Sequence, residues 1–428
     1  MRKREIGIFI FISILLFVAK AKSQTIEKES IYILKPTRIF DGENLLEDHW
    51  VMVKGEKIEA VKKASEISIP KNAIIIDLPN QTLLPGLIEG HSHLLLHPYN
   101  ETSWDEQVLK ESSALRVVRA VNHAKATLLA GFTTVRDLGT EGAGYDDVGI
   151  KTAINQGLIL GPRMIVATRA IVATGSYAPK GFAPQIEVPQ GAEEADGVDN
   201  LIKVVRTQIG KGADLIKVYA DYRWGLFGEA RPTFSIEELK LIVETAKSSG
   251  RPTVAHASTA EAMRRCVLAG VETIEHGDGG TPEVFQLMAE KGVALCPTLA
   301  AGDAILQYRG WRKGIESDPQ RIVQKKLSFK QALEAGVKIC FGGDVGVFTH
   351  GDNARELEMM VEYGMKPVEA LKSATSVNAD IFHYANQIGR VKAGLLADLI
   401  AVEGNPIQNI KDIRKVKLVM KGGEIVKQ

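Results

Sequence analysis

The chain has 428 residues, of which 45% are hydrophobic and 25% are charged, and its formal net charge is +1. This composition is typical of a globular enzyme and excludes a disordered or fibrous protein. The nearly neutral charge does not indicate binding to nucleic acid. The length predicts one large catalytic domain with a small accessory domain.

The N-terminal segment has the pattern of a secretory signal peptide. A basic start over 2–4 is followed by an uncharged apolar stretch over 6–18 and by small residues over 19–23. The apolar stretch is shorter than the roughly 18–20 residues that span a bilayer. We therefore predict that residues 1–23 are a cleaved signal, and a retained anchor is the alternative. The mature protein is expected in the periplasm or the medium, without stable membrane association.

Short β-rich segments occur at both ends of the remaining chain. Over 31–84, runs of β-branched residues alternate with Gly, Asn and Pro turns, and similar runs recur over 397–402 and 416–423. The two ends are expected to complete one folding unit. We predict a small β-sandwich domain formed by residues 24–84 and 389–428.

The central part of the chain alternates short apolar runs with helical patterns. The runs lie at 83–94, 131–138, 162–170, 213–220, 252–258, 272–277, 293–299 and 338–344. Eight β/α units predict an α/β fold, a (β/α)8 TIM-like barrel over 85–388. One helix is expected to begin with a capping box from Ser235 to Glu238. Gly- and Pro-rich connections over 173–199 and 301–319 are expected to form lids or substrate walls.

Side chains that can bind metal lie in or at the ends of these runs: His91, His93, Lys217, His256, His276 and Asp344. The C-terminal ends of parallel barrel strands open on one face, so these side chains should converge. His91 and His93 are two positions apart in one strand and therefore point the same way. Imidazole and carboxylate groups suit zinc and similar divalent ions. We predict two divalent metal ions, with zinc favoured.

Lys217 is the unusual member of the set, because an ammonium beside two cations is strongly disfavoured. We expect it to be neutral, and favour its carboxylation by CO2 to a carbamate that bridges the metals. Asp344 is expected to bind one metal and to take the proton from a bridging water. Each histidine could instead be a core residue and Asp344 a turn residue, but their joint placement favours a metal site. His350, after the eighth run, is the only other histidine expected near substrate.

These segments resemble the amidohydrolase superfamily, and most closely its branch of imidazolonepropionase-related and Xaa-Pro dipeptidase (prolidase-like) enzymes. The resemblance covers nearly all of the chain after the signal peptide and rests on the segments 84–93, 131–137, 213–219, 273–277 and 389–399. Imidazolonepropionases resemble the one-metal type without the bridging lysine. Lys217 therefore argues against that particular activity and favours the binuclear type.

The resemblance also implies how the ligands divide between the two metals. The more buried metal would be held by His91, His93 and Asp344. The more exposed metal would be held by His256 and His276. Carboxylated Lys217 would bridge the two ions.

Three further side chains are candidates for substrate contacts. Tyr219 lies two positions beyond Lys217 and so on the same face of the strand. We expect Tyr219 to polarise the scissile carbonyl or to hold the substrate, which makes it a catalytic candidate with Asp344. Arg223 and Tyr177 could meet a carboxylate of the substrate.

These features predict an exported metal-dependent hydrolase that cleaves a C–N amide bond with a hydroxide bridging its two metals. The favoured substrate is a dipeptide of the Xaa-Pro type or an N-acyl amino acid. A cyclic amide, a lactone or a phosphoester is the alternative, because the same metal pair serves all three. A periplasmic small-molecule binding module would be favoured only by loss of a ligand, and none is lost. The expected partner is a small-molecule substrate, with no nucleic acid, and a homo-oligomer is left open.

Overall fold

The computed structural model describes residues 30–428, so the predicted signal peptide lies outside the described residues. The strands, in chain order, are β1 (Ile31–Phe40), β2 (Leu45–Glu47), β3 (His49–Lys54), β4 (Lys57–Lys63), β5 (Ile74–Pro85), β6 (Leu87–Ser92), β7 (Phe132–Asp137), β8 (Arg163–Val166), β9 (Ile171–Val172), β10 (Glu193–Glu194), β11 (Ile216–Tyr219), β12 (Asp221–Arg223), β13 (Ala230–Pro232), β14 (Thr253–Thr259), β15 (Thr273–Gly279), β16 (Ala294–Cys296), β17 (Leu399–Glu403), β18 (Val416–Lys421) and β19 (Glu424–Lys427).

The helices are, in chain order, α1 (Trp104–Lys110), α2 (Ser113–Leu129), α3 (Asp146–Asn155), α4 (Gly197–Lys211), α5 (Ile236–Lys247), α6 (Ala260–Ala269), α7 (Pro282–Lys291), α8 (Leu299–Tyr308), α9 (Gln320–Glu334), α10 (Ala354–Glu362), α11 (Pro367–Lys372) and α12 (Asn378–Ile381). Within residues 30–428, no helix has both the length and the apolar character needed to cross a membrane.

A ring of parallel strands forms the barrel. Strands β6, β7 and β8 pair in parallel, and so do β11, β14, β15 and β16. The amide of Asp214 donates to the carbonyl of Val166 at 2.8 Å and joins the two sets. Run 338–344 closes the ring, because it pairs with Leu295 on one side and accepts from the amide of Gly90, at 3.0 Å, on the other. The predicted barrel fold with a second domain is confirmed.

The eighth run lies unusually close to β6. An added Cβ at Gly90 would lie 2.4 Å from the carbonyl oxygen of Phe341, and one at Gly342 would lie 2.7 Å from the amide nitrogen of His91. Only glycine permits this approach of the two backbones. It brings Asp344, whose φ is +63°, to the end of β6, where its amide donates to the carbonyl of His91 at 2.9 Å.

Helices pack around the barrel and bury its outer surface. The predicted capping box is present at the start of α5, where Ser235 and Glu238 bond each other's backbone amides. The expectation of an irregular connection over 301–319 is wrong for its first part, which belongs to α8. The carboxylate of Glu356 accepts from the amides of Leu299 and Ala300 at 2.9 and 2.7 Å, and these bonds support the first turn of α8.

Strands from both ends of the described chain form the second domain. They make one sheet in the order β19-β18-β17-β5-β1-β3-β4, with β2 paired to β1. Its apolar face buries Leu34, Val51 and Leu418. Strand β5 continues almost directly into β6, and Arg163 pairs with the buried carboxylate of Asp398 at 2.8 Å. The sheet is thus tied to the barrel at β6 through the chain and at β8 through this ion pair.

Candidate active site

The predicted metal ligands converge at the C-terminal end of the barrel. His91 Nε2 and His93 Nε2 lie 3.6 and 3.3 Å from Asp344 Oδ1. The ring of His276 lies 5.1 Å from the ring of His91 and 4.5 Å from that of His256, between centroids. Strands β6, β14 and β15 and the eighth run therefore bring side chains that are up to 253 positions apart in the sequence numbering into one site.

Hydrogen bonds fix the orientation of three of these imidazoles. His91 Nδ1 donates to Glu275 Oε2, His93 Nδ1 to the carbonyl of Gly139, and His276 Nδ1 to Thr298 Oγ1, each at 2.8 Å. With Nδ1 engaged in this way, Nε2 is the nitrogen that each ring offers to a metal.

His256 has the opposite orientation. Its Nε2 lies 3.5 Å from Asp221 Oδ1, so Nδ1 is the nitrogen left for a metal. Asp221 is buried and accepts from the amides of Ser258 and Thr259, at distances of 2.6–3.0 Å. The first residue of β12 and the end of β14 therefore fix the orientation of this ring.

Two buried carboxylates that support the site were missed in the sequence. Glu275 accepts from His91 and, at 2.9 Å, from Arg136 Nη2. Burial raises the pKa of Glu275, but the charge of Arg136 and the hydrogen bond from His91 more than offset this and lower it. The available signal was a charged residue inside an apolar strand, since Glu275 lies in β15 directly before a predicted ligand.

Glu89 joins the first and eighth strands. It accepts from the amides of His91 and Gly343 at 3.0 and 2.9 Å and from Asn353 Nδ2 at 2.9 Å. Burial raises the pKa of this carboxyl to about 7. Glu89 holds the backbones that carry His91 and Asp344, so it positions ligands without facing the metals itself.

Lys217 is buried, with 1% of its surface exposed. Its Nζ lies 5.6 Å from the centre of the Tyr219 ring, and no carboxylate among residues 30–428 is within ion-pair distance of it. Burial lowers the pKa of this amine. An unpaired ammonium in such a place is costly, and the neutral amine is the form that can react with CO2.

The donor set fits divalent metal ions. Burial is the largest cause that lowers the pKa of His91 to about 4 and that of His256 to about 3, so both rings are neutral and able to bind a metal. Burial raises the pKa of Asp344, but the neighbouring imidazoles of His91 and His93 outweigh it and lower that pKa to about 2. One cluster of ligand atoms from His91, His276 and Asp344 lies within 4.8 Å. Neutral imidazoles around an ionised carboxylate are a favourable donor set for zinc.

His93 is the exception among the histidines. Burial lowers the pKa of His93, but the hydrogen bond with Asp344 Oδ1 outweighs this effect and raises the pKa to about 9. This is the direction expected for an imidazole that lies 3.3 Å from a carboxylate oxygen. A divalent ion held by the same two atoms would replace the proton.

Two of the three side chains predicted to contact substrate lie together, and the third lies apart from them. Tyr219 and Tyr177 are buried and neighbouring, with ring centroids 4.8 Å apart, and both hydroxyls donate to Glu141. Arg223 is exposed at the end of β12, with its guanidinium 6.0 Å from the Tyr222 ring. The structure therefore places the two tyrosines together and leaves Arg223 on the rim.

His350 is buried and lies against the backbone of the predicted ligand His93. Its Nε2 donates to the carbonyl of Leu96 at 3.0 Å, and its ring stacks on that of His123 at 4.2 Å. These contacts hold the loop after the eighth run against the segment that follows β6. They give His350 a packing role in place of the expected contact with substrate.

Comparison with known proteins settles the family. The amidohydrolase family model matches residues 82–426, which include all six predicted ligands. The chain belongs to the amidohydrolase family. This confirms the resemblance drawn from the sequence, and it makes the protein a hydrolase acting on C–N bonds in a family that uses divalent metal ions.

Individual relatives cover most of the chain. Ochratoxinase of Aspergillus niger is 32% identical over 422 residues, which is 90% of this chain and 84% of that protein. The crystal structure of a Xaa-Pro dipeptidase with bound methionine is 32% identical, with a TM-score of 0.83, and covers 93% of this chain and 100% of its own. A prolidase in complex with N-methylphosphonate-L-proline is 29% identical, with a TM-score of 0.81 and the same coverage.

Proposed function

We propose that this amidohydrolase is an exported binuclear metal enzyme that hydrolyses the amide bond of an Xaa-Pro dipeptide or an N-acyl amino acid. The observation that carries the proposal is the convergence of imidazole, amine and carboxylate groups at the end of the barrel. The names of the relatives, a dipeptidase, a prolidase and ochratoxinase, support this substrate class. The family assignment disfavours the alternative of a binding module.

The chain's own groups divide into two ligand sets. His91 Nε2, His93 Nε2 and Asp344 would hold one ion. His256 Nδ1 and His276 Nε2 would hold the other, and the carbamate of Lys217 would bridge the two. Bound divalent ions would supply Lewis-acid polarisation of the substrate carbonyl and a lowered pKa for water, toward ~7.

Asp344 is the proposed general base. Its low pKa keeps the carboxylate ionised and able to accept a proton from the attacking water. The same oxygen can then give that proton to the leaving nitrogen when the C–N bond breaks. Tyr219, stacked on His256 with centroids 4.7 Å apart, lies beside this reaction centre and can orient the substrate.

A substrate screen tests the proposal directly. Purified metal-loaded protein would be incubated with Xaa-Pro dipeptides and N-acyl amino acids, and in parallel with lactones, cyclic amides and phosphoesters. We expect turnover of the linear amides, which can be measured by the amine that is released. Faster turnover of a phosphoester or a lactone than of every linear amide would overturn the assignment.

Metal content provides a second prediction. The purified protein should contain about two divalent ions per chain, and His276→Ala should lose metal and activity while remaining folded, because it removes one of the two ligands that only the more exposed ion has. His383→Ala is the matched control, since His383 lies on the surface and bonds Glu272. Elemental analysis with wild-type metal content in His276→Ala would contradict the ligand assignment.

Export is a separate part of the proposal. It is supported by the basic, apolar and small-residue pattern over 1–23. We expect the mature chain to begin near Lys22 or Gln24 and to fractionate with the periplasm or the medium. N-terminal sequencing that finds intact Met1 in the membrane fraction would replace the cleaved signal with an anchor.

A further inference from the structure

A buried glutamate beside the metal site has no role in the function described so far. Glu141 follows β7, has a φ of +48° and is 2% exposed. An added Cβ at Gly139 would lie 3.3 Å from Glu141 Oε1 and 3.6 Å from His93 Cε1. The carboxylate and a predicted metal ligand therefore flank the same glycine.

An aromatic wall, formed by Trp104, Tyr177, Tyr219 and Tyr222, surrounds this carboxylate. Tyr177 lies at its centre, with its ring centroid 4.8–5.0 Å from those of the other three. Tyr219 stacks in turn on His256 at 4.7 Å. The aromatic wall is thus continuous with the predicted metal site.

The direction of the hydrogen bonds shows what the wall can recognise. Glu141 accepts from the hydroxyls of Tyr177 and Tyr219 at 2.6 and 3.1 Å and from Trp104 Nε1 at 2.9 Å. An ionised carboxylate can only accept, so both hydroxyl protons point toward Glu141. The wall is left with oxygen lone pairs and ring faces, which attract a cation and disfavour a carboxylate.

The charge of Glu141 lacks an ion-pair partner in the described part of the chain. Its three bonding partners are neutral groups. The nearby guanidinium of Arg116 donates instead to the main-chain carbonyls of Leu95, Thr140 and Glu141. Burying a carboxylate costs free energy unless nearby charges compensate it; Arg116 supplies part of this compensation without contacting the carboxylate, and a cationic ligand in contact with Glu141 would add to it.

We propose that Glu141 and the aromatic wall bind the α-ammonium group of the substrate's acyl-side residue. The substrate is then a dipeptide with a free N-terminus, and not an N-acyl amino acid. The inference rests on the proposed function, because the two substrates considered there differ in this group. It assigns Tyr177 to the ammonium, where the sequence suggested a carboxylate.

A matched pair of substrates tests this assignment. Ala-Pro and N-propionyl-proline share the same amide bond and differ only in the ammonium group. We expect the metal-loaded wild-type enzyme to have a kcat/KM about 10- to 100-fold higher for Ala-Pro, the range of one charge-assisted hydrogen bond. Glu141→Gln keeps the size and an acceptor oxygen, so it should remove most of this ratio by slowing Ala-Pro alone.

Glu106→Gln is the control variant for Glu141→Gln. Glu106→Gln removes an exposed charge from α1, the helix that carries Trp104, and should keep the wild-type ratio. An equal loss for both substrates in Glu141→Gln would make Glu141 a residue that only positions tyrosines, and would overturn the inference.

The inference and the proposed function can fail separately. Cleavage of N-propionyl-proline at a rate equal to or above that of Ala-Pro overturns the ammonium site and leaves amide hydrolysis intact. Should neither be cleaved, the substrate assignment in the proposed function fails, and calorimetry with the same pair tests the ammonium site. Tighter binding of Ala-Pro that Glu141→Gln removes would support the site, and equal or absent binding would overturn it.

Discussion

Replacing Asp344 with asparagine should lower kcat by a factor of about 10²–10⁴, the range typical of removing a general base. The amide side chain keeps one oxygen that can face a metal, but it cannot accept the proton of the attacking water. Metal content should therefore fall only in part. Steady-state kinetics and elemental analysis on the same preparation would measure the two effects separately.

Tyr219→Phe is the paired control for this variant. Replacing a residue that orients the substrate should lower activity less than replacing the base, and part of the effect should appear in KM. Tyr219→Phe should lower activity for a second reason, because phenylalanine lacks the hydroxyl that donates to Glu141. A near-wild-type kcat in Asp344→Asn with both metals bound would mean that another group takes the proton.

Replacing Lys217 with alanine should abolish turnover, since the bridge between the two ligand sets is lost. Short carboxylic acids, such as formate or acetate, should restore part of the activity, because their two oxygens can stand in the space left by the carbamate. The buried position of Lys217, with no carboxylate of the described residues within ion-pair distance, provides an enclosed cavity for such a replacement.

Methylamine serves as the control for this rescue. It restores the nitrogen of the missing side chain but supplies no oxygens, so it should have no effect in the absence of a carboxylic acid. Unchanged turnover in Lys217→Ala would remove the bridge from the mechanism. Rescue by methylamine alone would mean that the amine itself, and not a carbamate, is the functional group.

Much of the fold follows from local sequence patterns. Each barrel strand is a short apolar run, and the capping box at Ser235 marks the start of α5. The eighth strand was expected at 338–344, but its form could not be predicted. The structure shows isolated bridges in place of a regular ladder, and the left-handed backbone of Asp344 ends the extended run.

The candidate metal ligands were predicted from the sequence alone, and the structure brings the four histidines and Asp344 close together. A histidine, lysine or aspartate at the end of an apolar run is visible locally, and barrel topology brings such ends together. The spacing of His91 and His93 also places both on one side of β6. Each of these inferences depends on residues that are close in sequence and on one general rule about parallel strands.

The residues that hold the predicted ligands in place come together only in the tertiary structure. Glu275 is a buried carboxylate whose partners His91 and Arg136 lie 184 and 139 positions away. Glu141 receives the hydroxyl of Tyr219 from 78 positions away. No local pattern encodes such pairs, because the direction of each side chain depends on how loops from different strands meet at the barrel end. The sequence by itself determined the family, and with it the expectation of a divalent metal site, whereas only the tertiary structure placed Glu141 and the aromatic wall beside the predicted ligands.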